Sequence, residues 1–198
     1  MAEGAEWLAA HEPRFAHALG QVGPLPLRLK PDGFAELLFA IMGQQVSVAS
    51  AAAINGRLRE AGLVSEAAVL AASEDDLRAC GLSRQKIRYA HALAGVGIDF
   101  NGLRDAPTDE VIKTLTAVPG IGPWTAEVYA MFSLGHADVF APGDLALQEA
   151  ARILFELPER PKEREMRAMA LDWSPWQSVA ARILWAYYRI AKDREGIA

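Results

Sequence analysis

The chain has 198 residues, 52% of them hydrophobic, a formal net charge of -5 and a single cysteine, Cys80. Such a chain can bury a core as one domain or two small ones, and one thiol excludes an internal disulfide framework, a four-thiolate iron–sulfur cluster and a cysteine-rich zinc site. The acidic balance excludes nucleic-acid binding through net charge alone, although Arg57, Arg59, Arg84, Lys86 and Arg88 offer local cations for phosphates. No charged-then-apolar leader opens the sequence, and no apolar run approaches the roughly 20 residues that span a bilayer. The reading is therefore a soluble, cytoplasmic protein without a membrane partner.

In chain order, an N-terminal helix is followed by a Gly- and Pro-rich link from Gly20 to Gly33. From Phe34 to about Arg59 the apolar residues Phe34, Leu37, Leu38, Ile41, Met42, Val46 and Ala49 recur at three- and four-residue steps, which predicts one helical face capped by Asp32. Further helical patterns run over Ser65–Ala72, Glu74–Cys80, Arg84–Ala94, Thr108–Ala117, Trp124–Leu134, Asp144–Phe155, Pro161–Leu171 and Pro175–Ala191. Short turns bearing Gly or Pro separate them, and no neighbouring pair shows the alternation of paired strands. An all-α protein is predicted. The turn Gly81–Lys86 joins two of these patterns much as the turn at Gly120 does, a faint sign of a duplicated unit.

The stretch Val118-Pro-Gly-Ile-Gly-Pro-Trp-Thr-Ala126, with Pro142-Gly143-Asp144 downstream, carries the most chemistry. A Pro-Gly-x-Gly turn between two helices can present successive backbone N–H groups where the helix dipole favours an anion. The same residues also read as a helix-ending glycine followed by a proline-opened helix, with no ligand. Gly120-x-Gly122-x-x-Thr125 is not a dinucleotide fingerprint, because a helix rather than a strand precedes it. Asp144 stands at a helix start, where a carboxylate serves either as a plain N-cap or as a functional anion. His11, His17, His91 and His136 share no ligand-like spacing, and Cys80 reads as a small core residue.

Together these segments resemble the helix-hairpin-helix DNA glycosylase superfamily, and within it the 3-methyladenine DNA glycosylase II, or AlkA-like, family. Ile41-Met-Gly-Gln-Gln-Val-Ser47, Gly81-Leu-Ser-Arg-Gln-Lys-Ile-Arg88 and Trp173-Ser-Pro-Trp-Gln-Ser178 add matches in the same order, and the likeness extends from about Pro24 to Tyr188. The resemblance implies that Asp144 is the catalytic carboxylate. It implies a base pocket that includes Trp124, Trp176, Val128 and Leu145, and DNA contacts from Gln44, Gln45, Ser47, Lys86, Gly120, Gly122, Trp124 and Thr125. Gln45 takes the place of the wedge that fills the gap left by a flipped nucleotide. The backbone carbonyls of Thr116, Val118 and Ile121 match those that hold a monovalent cation, Na+ or K+. No catalytic cofactor and no iron–sulfur cluster are implied.

Where family members that also cut the DNA strand carry a nucleophilic lysine, this chain has Trp124, so the resemblance implies hydrolysis of the base without lyase chemistry. Val128 and Leu145 replace residues that are aromatic in some relatives, which implies weaker stacking of a base. Asp138, six residues before Asp144, is a second carboxylate assigned to capping or loop bracing. The expected architecture is two-lobed and lacks the extra β-rich N-terminal domain of longer members. Residues 33–130 form a central bundle ending in the hairpin, and 1–32 with 131–198 form a second lobe carrying Asp144. The implied partner is double-stranded DNA containing an alkylated purine, met by a monomer in the cytoplasm and, in a prokaryote, at the nucleoid. Two alternatives remain: a glycosylase for deaminated or oxidised bases, and a helix-hairpin-helix module that only binds DNA.

Overall fold

A computed structural model describes residues 1–195, with side chains through residue 192. Among the described residues every regular element is helical. In order these are α1 (Ala2–His11), α2 (Pro13–Val22), α3 (Phe34–Met42), α4 (Val48–Glu60), α5 (Glu66–Ala71), α6 (Glu74–Ala79), α7 (Arg84–Gly95), α8 (Phe100–Asp105), α9 (Thr108–Thr116), α10 (Pro123–Tyr129), a π-helical turn (Ala130–Leu134), α11 (Leu145–Leu154), α12 (Glu163–Leu171) and α13 (Gln177–Glu195). By internal contacts the chain divides into two units: Lys30–Tyr129, and Met1–Leu29 together with the chain from Ala130 onward.

In the Lys30–Tyr129 unit, α3 packs on α4 and α7, and α9 on α10. Its core is aliphatic: Leu37, Leu38, Ile41, Met42, Leu58, Leu77, Leu93 and Leu115 are buried, each side chain contributing roughly 1.5–3 kcal/mol. The buried Tyr129 hydroxyl accepts the Gly33 N–H at 2.7 Å and so fastens the start of α3 to the end of α10. Desolvation pushes that phenol up to about 12, which keeps it neutral. In the second unit α13 is the central element, packed on α1, α2 and α11. Trp173 anchors an aromatic cluster there, with ring centroids 5.3 Å from Phe15 and 5.2 Å from Phe140, both edge-on. Gly4 lets α1 approach α13, since a Cβ at that position would lie 2.8 Å from the Val179 side chain and 2.8 Å from the Trp176 ring just before that helix.

Four expectations are corrected here. The single pattern from Phe34 to Arg59 is two helices, because the chain turns at Gly43–Ser47 with Gln45 at φ 58; Val46 and Ala49 belong to an exposed stretch rather than the buried face. Asp32 does not cap α3; Gly33 holds the cap position, and Asp32 pairs with Arg104, whose guanidinium draws its carboxyl below the usual range. The N-terminal segment is two helices, broken where Glu12 accepts the Arg14 N–H and Pro13 opens α2. Helix α8, capped by Asp99, occupies a stretch with no helical pattern assigned to it.

Candidate active site and nucleic-acid interface

In the Lys30–Tyr129 unit the hairpin is the turn between α9 and α10. Gly120 has φ 95, a left-handed conformation suited to glycine, and a Cβ there would sit 2.5 Å from the Tyr89 ring. Ile121 N–H donates to Val118 O at 3.0 Å and closes the turn. The side chain of Gln44 braces it: Nε2 donates to Gly120 O at 3.0 Å and to Thr125 Oγ1 at 3.4 Å. The turn after α3 and the hairpin are thereby tied together. We expect Gln44→Ala to lower the stability of the protein by about 1–2 kcal/mol, read from a urea titration, because the Gly120 carbonyl loses its donor.

Beside the hairpin lies a groove of about 590 Å³, lined by Gln44, Gln45, Ser83, Lys86, Tyr89 and Gly120 among others. Gln45 is exposed there, while several neighbouring side chains are engaged inside the unit. Lys86 Nζ donates to Met42 O at 2.6 Å, at the end of α3, and desolvation lowers the pKa of its ammonium. Thr125 is 5% exposed, so its contribution to a ligand is its backbone at the helix start. Ser47 caps α4 by accepting the Ser50 N–H at 3.1 Å. Arg57 donates to Cys80 O at 2.8 Å, and Arg59 lies over the Phe39 ring at 4.2 Å. Of the five cations named from sequence, Arg57, Arg59, Arg84 and Arg88 are exposed and Lys86 is half-buried.

In the second unit a network of bonds fixes the loop that leads to Asp144. The π-helical turn ends with His136 N–H donating to Ala130 O at 3.0 Å. Ser178 Oγ donates to His136 O at 2.6 Å, and Ser174 Oγ donates to Asp138 Oδ2 at 2.6 Å, so Asp138 braces the loop. Buried Gln148 donates to Pro142 O at 2.8 Å. Asp144 then caps α11. Its Oδ1 accepts the N–H groups of Ala146 (2.9 Å) and Leu147 (3.0 Å) and the indole N–H of Trp185 (3.2 Å). Three donors on one oxygen hold the carboxylate in a fixed orientation. Capping and a functional role are thus compatible at this residue.

Trp185 also lines a cavity of about 530 Å³ with Pro24, Phe132, Arg182 and Tyr188 among others. Its ring lies 5.6 Å from Phe132. The Asp144 carboxylate is therefore one hydrogen bond from an aromatic cavity of a size suited to a small organic group. Leu145, the first residue of α11, is 62% exposed beside Asp144, and Trp176 is half-buried with its ring against Gly4. Trp124 (46% exposed) and Val128 lie one turn apart on α10 in the other unit.

A family model described as HhH-GPD superfamily base excision DNA repair protein matches residues 38–175. The chain belongs to the HhH-GPD superfamily. DNA-3-methyladenine glycosylase 1 of Schizosaccharomyces pombe is 29% identical over 194 residues, covering 90% of this chain and 82% of that protein. The crystal structure of DNA-3-methyladenine glycosidase from Bacillus halodurans superposes with a TM-score of 0.86 at 32% identity, over 94% of this chain and 89% of that one. The structure of S. pombe 3-methyladenine DNA glycosylase Mag1 in complex with abasic DNA gives 0.77 at 26% identity, over 92% and 95%. The chain spans 40% of the length of one curated bacterial relative and 82% of the yeast one.

The HhH-GPD match contains the hairpin and Asp144 and stops short of Trp185, the residue that sequence reasoning missed. No local motif marks it among the five tryptophans, and it lies 41 positions from the carboxylate it contacts.

Proposed function

We propose that this HhH-GPD protein is a monofunctional DNA glycosylase that hydrolyses the N-glycosidic bond of alkylated purines, 3-methyladenine-like bases among them, in base excision repair. The observation that carries this reading is Asp144, whose carboxylate is held by two backbone amides and the Trp185 indole at the edge of an aromatic cavity. The relatives named above as 3-methyladenine glycosylases give the lesion class.

A base inside a duplex is out of reach, so the damaged nucleotide is first turned out of the stack. Gln45, exposed at its left-handed turn, fills the gap. As the base departs, positive charge develops on the deoxyribose, and the Asp144 anion stabilises it and orients the attacking water. An alkylated purine leaves as a neutral base and needs little help from a general acid. The main-chain N–H groups of Gly120, Gly122 and Trp124 receive a DNA phosphate. The carbonyls of Thr116, Val118 and Ile121 would hold Na+ or K+: neutral oxygens suit a hard monovalent ion, and Val118 O keeps a lone pair beyond the one used by Ile121 N–H. Such an ion offsets the phosphate charge. The protein acts as a monomer on double-stranded DNA in the cytoplasm.

A panel of duplexes, each with one alkylated purine, uracil or an oxidised purine, tests the assignment by release of free base. Release of the alkylated base is expected; release confined to uracil or the oxidised purine would contradict it. Because Trp124 cannot form a Schiff base, borohydride added during turnover should trap no protein–DNA adduct, and the abasic strand should stay whole until treated with alkali.

A further inference from the structure

We infer that Lys86 is a positioning residue for base flipping rather than a phosphate ligand: through the Met42 carbonyl it holds the left-handed turn that presents Gln45. The inference rests on the proposed function, in which Gln45 fills the gap left by the extruded nucleotide.

The turn between α3 and α4 has little packing of its own. Residues 45–50 are all exposed, Val48 by 89%, so burial does not fix their backbone. Gln45 nonetheless adopts φ 58, a left-handed conformation that residues other than glycine rarely take and that persists only where the surroundings impose it. Hydrogen bonds do so on both sides. After Gln45, Ser47 caps α4 by accepting the Ser50 N–H at 3.1 Å. Before it, Gln44 donates to Gly120 O and Thr125 Oγ1 of the hairpin, and Lys86 Nζ donates to Met42 O at 2.6 Å.

Met42 is the last residue of α3, where a helix leaves carbonyls without an internal partner and its dipole favours a cation. Lys86 itself lies three residues past the Ser83 cap of α7, at the helix end where the dipole disfavours a cation. The ammonium is therefore placed by the carbonyl it reaches on α3 and not by its own helix. Burial lowers its pKa, as befits a group turned toward the protein. Without this tie the turn can relax to a commoner backbone, and Gln45 no longer stands where the extruded nucleotide leaves its gap.

The test measures Lys86→Met on two substrates. Binding of an undamaged duplex is followed against salt, because a lysine that neutralises a phosphate steepens the dependence of log Kd on log salt by about one. Flipping is followed by 2-aminopurine fluorescence beside an alkylated purine whose 2′-fluoro sugar disfavours the cationic transition state and so resists release. The salt slope is expected to stay within about 0.3 of the wild type. The 2-aminopurine signal should fall, and single-turnover release of the alkylated base from an ordinary sugar should drop about tenfold. In a Gln45→Gly background, which has neither the wedge nor the strained turn, Lys86→Met should change release by less than about twofold. Lys86→Gln, also uncharged, gives the same slope reading if Lys86→Met does not fold.

A slope shallower by about one, with damaged and undamaged duplexes weakened alike, makes Lys86 a phosphate ligand and overturns the inference. Wild-type release in Lys86→Met overturns it too, and losses that multiply in the double variant overturn it in favour of general stability. A wild type that binds duplex yet releases no alkylated base ends the glycosylase reading itself, and the inference with it.

Discussion

Asp144→Asn should lower single-turnover base release by about 10³-fold or more while leaving duplex binding within about twofold of the wild type. A full negative charge about 4 Å from a developing oxocarbenium ion, at the effective dielectric of a partly buried site, contributes about 4 kcal/mol, which corresponds to about three decades in rate. Asparagine caps a helix about as well as aspartate and keeps a carbonyl oxygen for the Ala146, Leu147 and Trp185 donors, so α11 should survive the change. Thermal unfolding and the rate, measured on the same preparation, separate the two effects. Retained release in Asp144→Asn would move the catalytic role to another group.

Gly120→Ala should cost about 2–4 kcal/mol of stability and abolish measurable DNA binding. Two penalties combine there: alanine at φ 95 is strained, and its Cβ would meet the Tyr89 ring at 2.5 Å, where Gln85 holds the Tyr89 hydroxyl at 2.6 Å. Gly122→Ala is the control, because nothing lies within 4 Å of a Cβ built there. Its stability should stay within about 0.5 kcal/mol of the wild type. Loss of DNA affinity in a folded Gly122→Ala protein would point to the amide contact itself rather than to hairpin collapse. Equal stability of the two alanine variants in chemical denaturation would contradict the geometric account of Gly120.

Features built from local sequence could be read before the structure. The all-α class followed from three- and four-residue apolar spacing, and the hairpin from its Pro-Gly-x-Gly signature. The family followed from several motifs kept in order. Features built from distant pairs could not. Asp32 looked like a cap because nothing nearby announced Arg104, 72 residues away. The break at Gly43–Ser47 was hidden because Val46 and Ala49 continue the helical spacing across it, although the backbone reverses at Gln45. Arg57, Arg59 and Lys86 counted as cations for phosphate in the sequence, yet carbonyls and an aromatic ring within the unit engage them. At Asp144 the motif supplied the residue, and packing supplied its partner Trp185.

The central claim is that a carboxylate oriented by two backbone amides and an indole drives release of an alkylated base from DNA. Mass spectrometry of a single-turnover reaction on a duplex with one alkylated purine tests it most directly. The account predicts one free base per duplex and a full-length strand lighter by that base less the one water taken up. A substrate strand of unchanged mass, recovered from a protein that demonstrably bound it, would contradict the account.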